Sequence, residues 1–207
     1  MDFVRRAAAT PSRLAVFPGS FNPPTCAHLA LAQAALAQAD EVLFVVPRVF
    51  PHRRYEGAGL EQRLEMLWQA SAAEPRFSVA ATDRGLFIEI AMDCRAAYGP
   101  NVKLLFLCGR DAAERIVEWD YGSPGEFARQ LEVFSLLVAA RHGEYSQPSI
   151  YAGRIHRLLL PQDYSETSST EVRRRACAGE SWEPLVPEAI VPLVRATYHV
   201  VPGTREH

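Results

Sequence analysis

The chain has 207 residues, of which 48% are hydrophobic and 22% charged, and its formal net charge is −2 at neutral pH. These values are ordinary for a globular enzyme and indicate neither a nucleic-acid-binding surface nor a membrane-binding one. The four cysteines are widely scattered and include no Cys-x-x-Cys pair. Their spacing argues against a structural zinc site and a disulfide scaffold, and favours reduced thiols in a cytoplasmic protein.

Residues 1–13 are too short and too polar to form a signal peptide or a membrane helix. We therefore expect a frayed lead-in segment, followed by a single domain over residues 14–207. Nothing in the sequence indicates an internal repeat or a low-complexity linker. The stretch 47–59, which is rich in proline, glycine and charged residues, is the most loop-like part of the chain.

Strand and helix patterns alternate along the domain. Nearly continuous apolar runs predict strands that are covered on both faces, and segments with helical spacing lie between them. Such alternation predicts right-handed βαβ crossovers and an α/β fold with a Rossmann-like, doubly wound parallel sheet. The predicted strands are 14–17, 42–46, 104–107 and 134–139, with a weaker candidate at 155–159; the predicted helices are 27–39, 60–72, 86–98 and 126–131.

The last part of the chain has a different pattern and predicts a small helical segment over about 168–200. A Ser-Ser-Thr run at 168–170 is typical of a capped helix start, and Gly179 is suited to end that helix. Pro184 and Pro187 bracket a turn. A final amphipathic helix is expected over 187–198.

The stretch 18–28, with the sequence PGSFNPPTCAH, follows the first predicted strand and opens the first helix. Small residues allow the backbone to approach a ligand, and a helix N-terminus offers free N–H groups to an anion. Ligands of open α/β sheets bind at the carboxyl ends of strands, near a topological switch point. From the chemistry alone, an ordinary turn in which Asn22 or Thr25 caps the helix is an equal alternative.

The stretch 168–173, with the sequence SSTEVR, combines hydroxyl groups with an arginine on the first turn of a helix. That arrangement can hold phosphate. The residues alone favour a simpler interpretation, in which an N-cap precedes a solvated arginine run.

A third candidate begins at the end of the strand 104–107. The carboxylate of Asp111, two residues after Gly109, can accept hydrogen bonds from a ribose, and the indole of Trp119 can stack on a planar ring. The alternative is a helix cap at Asp111 and a core tryptophan at Trp119.

The first two stretches resemble the two signatures of the nucleotidyltransferase superfamily that includes nicotinate and nicotinamide mononucleotide adenylyltransferases and pantetheine-phosphate adenylyltransferase. The family's usual His-x-Gly-His is TCAH at residues 25–28, so the second histidine is retained as His28 while the first histidine and the glycine are replaced. The family's Ser-Ser-Thr-x-Ile-Arg is SSTEVR at residues 168–173. The two motifs occur in the expected order, and the resemblance runs from residue 14 to about residue 200.

Shorter matches extend the resemblance. PHR at 51–53 is similar to the family's Pro-His-Lys, RLEM at 63–66 to its Arg-x-x-Met, RHG at 141–143 to its Arg-x-Gly, and LVP at 185–187 to its Leu-Val-Pro. The spacing of Trp119 is similar to that of bacterial nicotinate mononucleotide enzymes. Residues 83–88, however, lack the Ser-Tyr-Thr that those enzymes commonly carry, which leaves the acceptor open.

The resemblance implies an adenylyltransferase that joins the AMP half of ATP to nicotinate or nicotinamide mononucleotide and releases pyrophosphate. Mg²⁺ would enter with ATP, without a dedicated metal site in the protein. A related transferase with another acceptor, such as phosphopantetheine, and a non-catalytic nucleotide-binding module of the same fold stay open as alternatives. The partners implied are ATP and a pyridine mononucleotide, with no nucleic acid and no membrane, and a homo-oligomer is left open. The implied catalytic residues are His28 and Arg173; the implied ATP-binding residues are Gly19, Ser20, Phe21, Asn22, Thr25, His28, Gly109, Asp111, Ser168, Ser169, Thr170 and Arg173; the implied acceptor-binding residues are His52, Arg53, Trp119 and Arg141.

Overall fold

A computed structural model describes residues 1–48, 57–139, 145, 148–160, 164 and 166–198. Seven strands form one sheet in the order β1-β4-β3-β2-β5-β6-β7. Every neighbouring pair is parallel except β1 with β4. The strands are β1 (Asp2–Arg5), β2 (Arg13–Pro18), β3 (Glu41–Pro47), β4 (Phe77–Thr82), β5 (Lys103–Gly109), β6 (Ser135–Ala139) and β7 (Ile155–Leu158).

Helices cover both faces of this sheet. They are α1 (Cys26–Ala35), α2 (Leu60–Ser71), α3 (Phe87–Tyr98), α4 (Arg110–Glu118), α5 (Glu126–Gln130), α6 (Ser169–Ala178) and α7 (Val191–Tyr198). Side chains alternate across β2, so that Leu14 and Val16 pack towards α3, α4 and α5, whereas Ala15 and Phe17 pack towards α1 and α2. The predicted Rossmann-like, doubly wound α/β fold is thereby confirmed.

The C-terminal helices pack on the outer side of α2 rather than on the sheet. Val172 of α6 and Val194 of α7 share a buried cluster with Met66 and Ala70 of α2. Gly179 ends α6 in the left-handed conformation, with φ of 69°. The predicted C-terminal helical segment is therefore present, and its docking on α2 determines where the start of α6 lies.

The N-terminal segment differs from the expectation of a frayed lead-in. Residues 2–5 form β1, which extends the sheet antiparallel to β4. The Arg5 guanidinium donates to the carbonyl oxygens of Ser71, Ala72 and Glu74 at the end of α2. Arg6 lies 4.6 Å from the ring centroid of Tyr98 and donates to the Ala97 carbonyl. Arg5 and Arg6, which lie in the expected lead-in, thus attach an edge strand.

Two further elements were not predicted. All six residues of β4 are buried, but Ser78, Ala80, Ala81 and Thr82 are too small or too polar to give an apolar run. α4 places Ala113, Ile116 and Val117 at helical spacing, but the segment is only nine residues long and buries only Ala113. None of the helices within the described ranges combines the length and apolarity needed to cross a membrane.

Candidate active site

The strand order changes direction between β2 and β5. From β2 the sheet continues through β3 and β4, and from β5 it continues through β6 and β7. In open parallel sheets, a crevice forms outside the carboxyl ends of two such strands. The turn before α1 follows β2 and the Gly109–Asp111 segment follows β5, and the two strands are directly paired. Two of the three predicted nucleotide-binding segments therefore flank the switch point.

The turn after β2 packs closely on the ring of Phe21, which is one of its own residues. Phe21 has φ of 45°, which is uncommon for a residue other than glycine, and its side chain is 1% exposed among Phe17 and Phe44. A Cβ atom at Gly19 would lie 2.9 Å from Cζ of Phe21. Glycine is therefore required at position 19. The Phe21 side chain belongs to the core, so only its backbone is placed to meet a ligand.

Thr25 and His28 hold each other at the start of α1. The Thr25 hydroxyl accepts from the His28 backbone N–H at 3.4 Å, and His28 Nδ1 accepts from the Thr25 backbone N–H at 3.0 Å. This is a capping box in which histidine takes the position usual for glutamate or glutamine. Because Nδ1 is an acceptor in this contact, the neutral imidazole carries its proton on Nε2.

The replacement of the family's glycine by Ala27 is accommodated inside the helix. Ala27 is fully buried, and so is Thr25, the N-cap residue of the helix. The methyl group of Ala27 therefore adds no exposed side chain to the turn. His28, in contrast, remains partly exposed.

The start of α6 contacts this turn directly. Ser169 Oγ donates to the Pro23 carbonyl at 2.7 Å, and Arg173 Nη1 donates to the Asn22 carbonyl at 2.6 Å. Ser168 caps α6 by accepting from the Glu171 backbone N–H at 3.1 Å. Two stretches about 150 positions apart are thus joined, as the resemblance led us to expect.

The charge around the turn favours an anion. The N-termini of α1 and α6 meet there, and each has free backbone N–H groups and a partial positive charge. The one acidic residue in the first turn of α6 is Glu171, which pairs with Arg174 and Arg175 at 2.8 and 2.7 Å. Hydrogen bonds from these two arginines lower the pKa of Glu171 to about 2. Its charge is therefore balanced by cations on the same helix.

The third segment is divided between the two ends of α4. Gly109 is the N-cap, and a Cβ there would meet no atom within 4 Å. Asp111 is exposed on the first turn, while Trp119 follows the last residue and is 50% exposed. The two residues are eight positions apart, which corresponds to about 12 Å of rise along a helix axis between their Cα atoms. The alternatives of an Asp111 cap and a core Trp119 do not hold.

Two side chains behind the turn were not among the predicted site residues. Arg63 of α2 is 3% exposed, and its Nη1 donates to the Ser20 carbonyl at 3.1 Å. Tyr198 of α7 donates its hydroxyl to Oδ1 of Asn22, whose side chain is 3% exposed. Asn22 therefore holds the turn rather than presenting its amide to a ligand. A charged residue on the buried side of a helix is the signal that marks Arg63, whereas no local pattern marks Tyr198.

The predicted acceptor-binding residues His52, Arg53 and Arg141 lie outside the described residues. Within the described ranges, no three His, Cys, Asp or Glu side chains cluster in a way that could hold a metal ion. A dedicated metal cage is thus not formed by this part of the chain.

A doubly wound sheet with a phosphate-suited turn at its switch point, closed from the side by a second helix N-terminus, defines a nucleotidyltransferase of the Rossmann-like type. Residues 16–175 match the family model described as cytidylyltransferase-like, and the chain belongs to that family. The family expected from the two motifs is confirmed.

Several curated proteins are similar over nearly their whole length, and each is named a probable nicotinate-nucleotide adenylyltransferase. The protein from Thermus thermophilus is 32% identical, over 86% of this chain and 94% of its own. The protein from Yersinia pestis is 30% identical, over 86% and 91%. The protein from Moorella thermoacetica is 29% identical, over 90% of each chain.

Solved structures with the same fold include Plasmodium falciparum nicotinic acid mononucleotide adenylyltransferase. Its complex with NaAD aligns with a TM-score of 0.66 at 16% identity, covering 89% of this chain and 93% of that one. Its complex with APC aligns with a TM-score of 0.65 at 15% identity. At this identity, the likeness supports the fold.

Proposed function

We propose that this protein is a nicotinate-nucleotide adenylyltransferase, which transfers AMP from ATP to nicotinate mononucleotide and releases pyrophosphate in NAD biosynthesis. The observation that carries the proposal is the direct contact between the turn before α1 and the start of α6, with Arg173 Nη1 2.6 Å from the Asn22 carbonyl. The names of the curated relatives support nicotinate mononucleotide as the acceptor.

The reaction needs positioning more than proton transfer. The 5′-phosphate of the mononucleotide is already charged and needs no general base to attack the α-phosphorus of ATP. The barrier lies in bringing two polyanions together and in stabilising the charge on the α-phosphate during in-line displacement. Preorganised donors that face this charge therefore supply most of the rate.

His28 is the donor that we assign to the α/β-phosphate region. The Thr25 backbone N–H donates to Nδ1 of His28 at 3.0 Å. This hydrogen bond leaves the ring proton on Nε2 and holds the imidazole in one orientation. A donor that is oriented before substrate arrives costs little reorganisation during reaction. Gly19 and Ser20, both partly exposed, bring the backbone of the turn to the same phosphates.

The β- and γ-phosphates, and the departing pyrophosphate, are assigned to the start of α6. Ser168 and Ser169 use their hydroxyl groups within the protein, so they contribute mainly through the helix N-terminus. Thr170 is exposed and Arg173 is partly exposed, which leaves both within reach of solvent. The guanidinium of Arg173 is the cation that steadies the leaving group.

The two ends of α4 are assigned to the two nucleosides. Gly109 and Asp111 are proposed to hold the adenosine ribose beside the switch point, and Trp119 to stack on the pyridine ring. His52, Arg53 and Arg141 remain proposed acceptor contacts on their family resemblance alone.

Mg²⁺ fits the site as a companion of ATP. Without a cluster of carboxylate, histidine or cysteine ligands in the described ranges, the ion would be held by phosphate oxygens and water, which is its usual mode with nucleotides. When bound, it neutralises charge on the β- and γ-phosphates. The protein's own donors orient the triphosphate, His28 at the α/β-phosphate region and Arg173 at the β- and γ-phosphates.

A substrate panel tests the proposal. Pyrophosphate release is measured with ATP and Mg²⁺ plus nicotinate mononucleotide, nicotinamide mononucleotide or phosphopantetheine, and the dinucleotide product is identified by mass. We expect the highest kcat/KM with nicotinate mononucleotide and no release with phosphopantetheine. A preference for phosphopantetheine would assign another acceptor, and tight ATP binding without release in any mixture would indicate a non-catalytic module.

A further inference from the structure

The side chain of Asn22 joins three distant segments behind the phosphate-facing turn. Its Oδ1 accepts from the Ala58 backbone N–H at 3.1 Å and from the hydroxyl of Tyr198. Its backbone carbonyl accepts from Arg173 at 2.6 Å. One residue of the turn is therefore held by α2's leading segment, by α6 and by α7.

There is little room for this amide to move. A Cβ atom at Gly57 would lie 2.5 Å from Nδ2 and 2.8 Å from Oδ1 of Asn22, so the chain entering α2 packs against the amide. Asn22 and Tyr198, whose side chains form a hydrogen bond, are almost fully buried, at 3% and 7% exposed. Hydrogen bonds in such surroundings have strong geometric preferences.

The turn needs such support. Phe21, the residue before Asn22, has φ of 45°, a conformation that persists only where surrounding contacts hold it. Gly19 and Ser20, which bring the backbone to the phosphates, directly precede Phe21. A contact that holds Asn22 therefore also holds the backbone that meets the ligand.

We propose that Tyr198 is a positioning residue for ATP, acting from α7 through the Asn22 side chain on the turn between Gly19 and Pro23. This inference rests on the proposed function, since it assigns ATP to that turn. Without the hydroxyl, the turn spends less time in the binding-competent conformation, and the apparent affinity for ATP falls in proportion. The loss of one buried hydrogen bond corresponds to about a tenfold change.

Tyr198→Phe removes only the hydroxyl, and Tyr98→Phe is its matched control. Tyr98 is 8% exposed, and its hydroxyl donates to Oε1 of Glu41 at 2.5 Å, at the amino end of β3, whereas the turn follows the carboxyl end of β2. The Kd of Mg-ATP is measured by titration calorimetry without acceptor, and KM for each substrate is measured alongside. Thermal unfolding reports the stability of each variant.

We expect both variants to lose stability, but only Tyr198→Phe to bind ATP about tenfold more weakly, with an unchanged KM for the mononucleotide. An ATP Kd within twofold of wild type in Tyr198→Phe would overturn the inference. So would an equal weakening in Tyr98→Phe, because the effect would then follow stability alone.

Gly57→Ala perturbs the same amide from another side, should Tyr198→Phe fail to fold. Its control is Gly99→Ala, because Gly99 has a similar φ of 98°, against 117° at Gly57, but a Cβ atom there would meet nothing within 4 Å. Weaker ATP binding in Gly57→Ala alone supports the inference, and equal binding in both contradicts it. Because ATP binding is measured without acceptor, a wild-type chain that binds ATP but releases no pyrophosphate refutes only the proposed function.

Discussion

The backbone N–H of Thr25 donates to Nδ1 of His28 across 3.0 Å, while the Thr25 hydroxyl accepts from the backbone N–H of His28. One side chain therefore has two tasks. It caps the first turn of α1, and it keeps its ring in a fixed orientation with the proton on Nε2. Because glutamate and glutamine are the usual residues at this position of a capping box, the two tasks can be separated by substitution.

His28→Ala is expected to lower kcat by about 10²–10³-fold, since one preorganised donor contributes about 2.7–4 kcal/mol to transition-state stabilisation. The loss of the hydrogen bond from the Thr25 N–H to the imidazole should cost about 0.5–1.5 kcal/mol of stability. His28→Gln restores a side chain that can accept from the Thr25 N–H, so it should recover that stability without recovering kcat. Steady-state kinetics and urea unfolding measure the two effects. Near-normal turnover in His28→Ala would remove His28 from the chemistry.

Arg173→Ala is expected to raise KM for ATP about tenfold or more while changing KM for the mononucleotide little, because we assign the guanidinium to the β- and γ-phosphates of ATP. Arg174→Ala is the control on the same helix. Arg174 is exposed and pairs with Glu171 and Glu180 at 2.8 and 2.6 Å, so its loss should leave both KM values within about twofold. An equal rise in both KM values for Arg173→Ala would indicate a structural arginine.

Trp119→Ala is expected to raise KM for the pyridine mononucleotide by about tenfold without changing that for ATP, since ring stacking is worth roughly 0.5–1.5 kcal/mol beyond the area that it buries. Trp68→Ala is a suitable control, because Trp68 on α2 is 45% exposed against 50% for Trp119. Intrinsic fluorescence provides a direct check. Quenching by mononucleotide should disappear in Trp119→Ala and persist in Trp68→Ala; quenching that persists in both would contradict the assignment.

The buried carboxyl of Glu41 predicts a pH-dependent stability. It accepts from Ser78 Oγ at 2.6 Å and from the Tyr98 hydroxyl, while its Oε2 has no hydrogen-bond partner within the described residues. Burial raises the pKa of Glu41, although Ser78, Tyr98 and the nearby charge of Arg6 oppose the shift. The folded state thus binds this proton more tightly than the unfolded state does.

Stability that depends on this proton is fully present below the unfolded pKa and is lost as the pH rises through the folded pKa. Glu41→Gln, which imitates the protonated acid, should therefore become progressively more stable relative to wild type above about pH 4.3, the ordinary glutamate value. Urea unfolding of both proteins from pH 4 to pH 8 measures the difference. A difference that is constant over this range would contradict the assignment.

The sequence pattern predicted an element correctly where the residues of that segment alone determine its structure. The apolar runs of β2, β3, β5 and β6 predicted their strands, because strands covered on both faces contain few polar residues. β4 was missed for the complementary reason. Its Ser78 is fully buried, but it is satisfied by Glu41, a residue 37 positions away. No window along the chain includes both partners.

The same distinction applies to the candidate site. The motifs at 18–28 and 168–173 were recognisable because some of their residues perform local tasks, such as the capping of α6 by Ser168. Burial of the Phe21 and Asn22 side chains, by contrast, could not be predicted, since it depends on Phe44 and on α7. The sequence indicated which stretches form the candidate site but not which of their side chains are buried.

The amino-acid sequence by itself determined the alternation of strands and helices, the two phosphate-suited helix starts and the family to which the chain belongs, because each of these depends on neighbouring residues. Only the tertiary structure decided that Ser169 reaches Pro23, that Arg173 reaches Asn22 and that Tyr198 supports the turn from behind. Those contacts join residues 146, 151 and 176 positions apart. They depend on how the helices pack on α2 and on the sheet, since packing rather than periodicity sets where distant side chains meet.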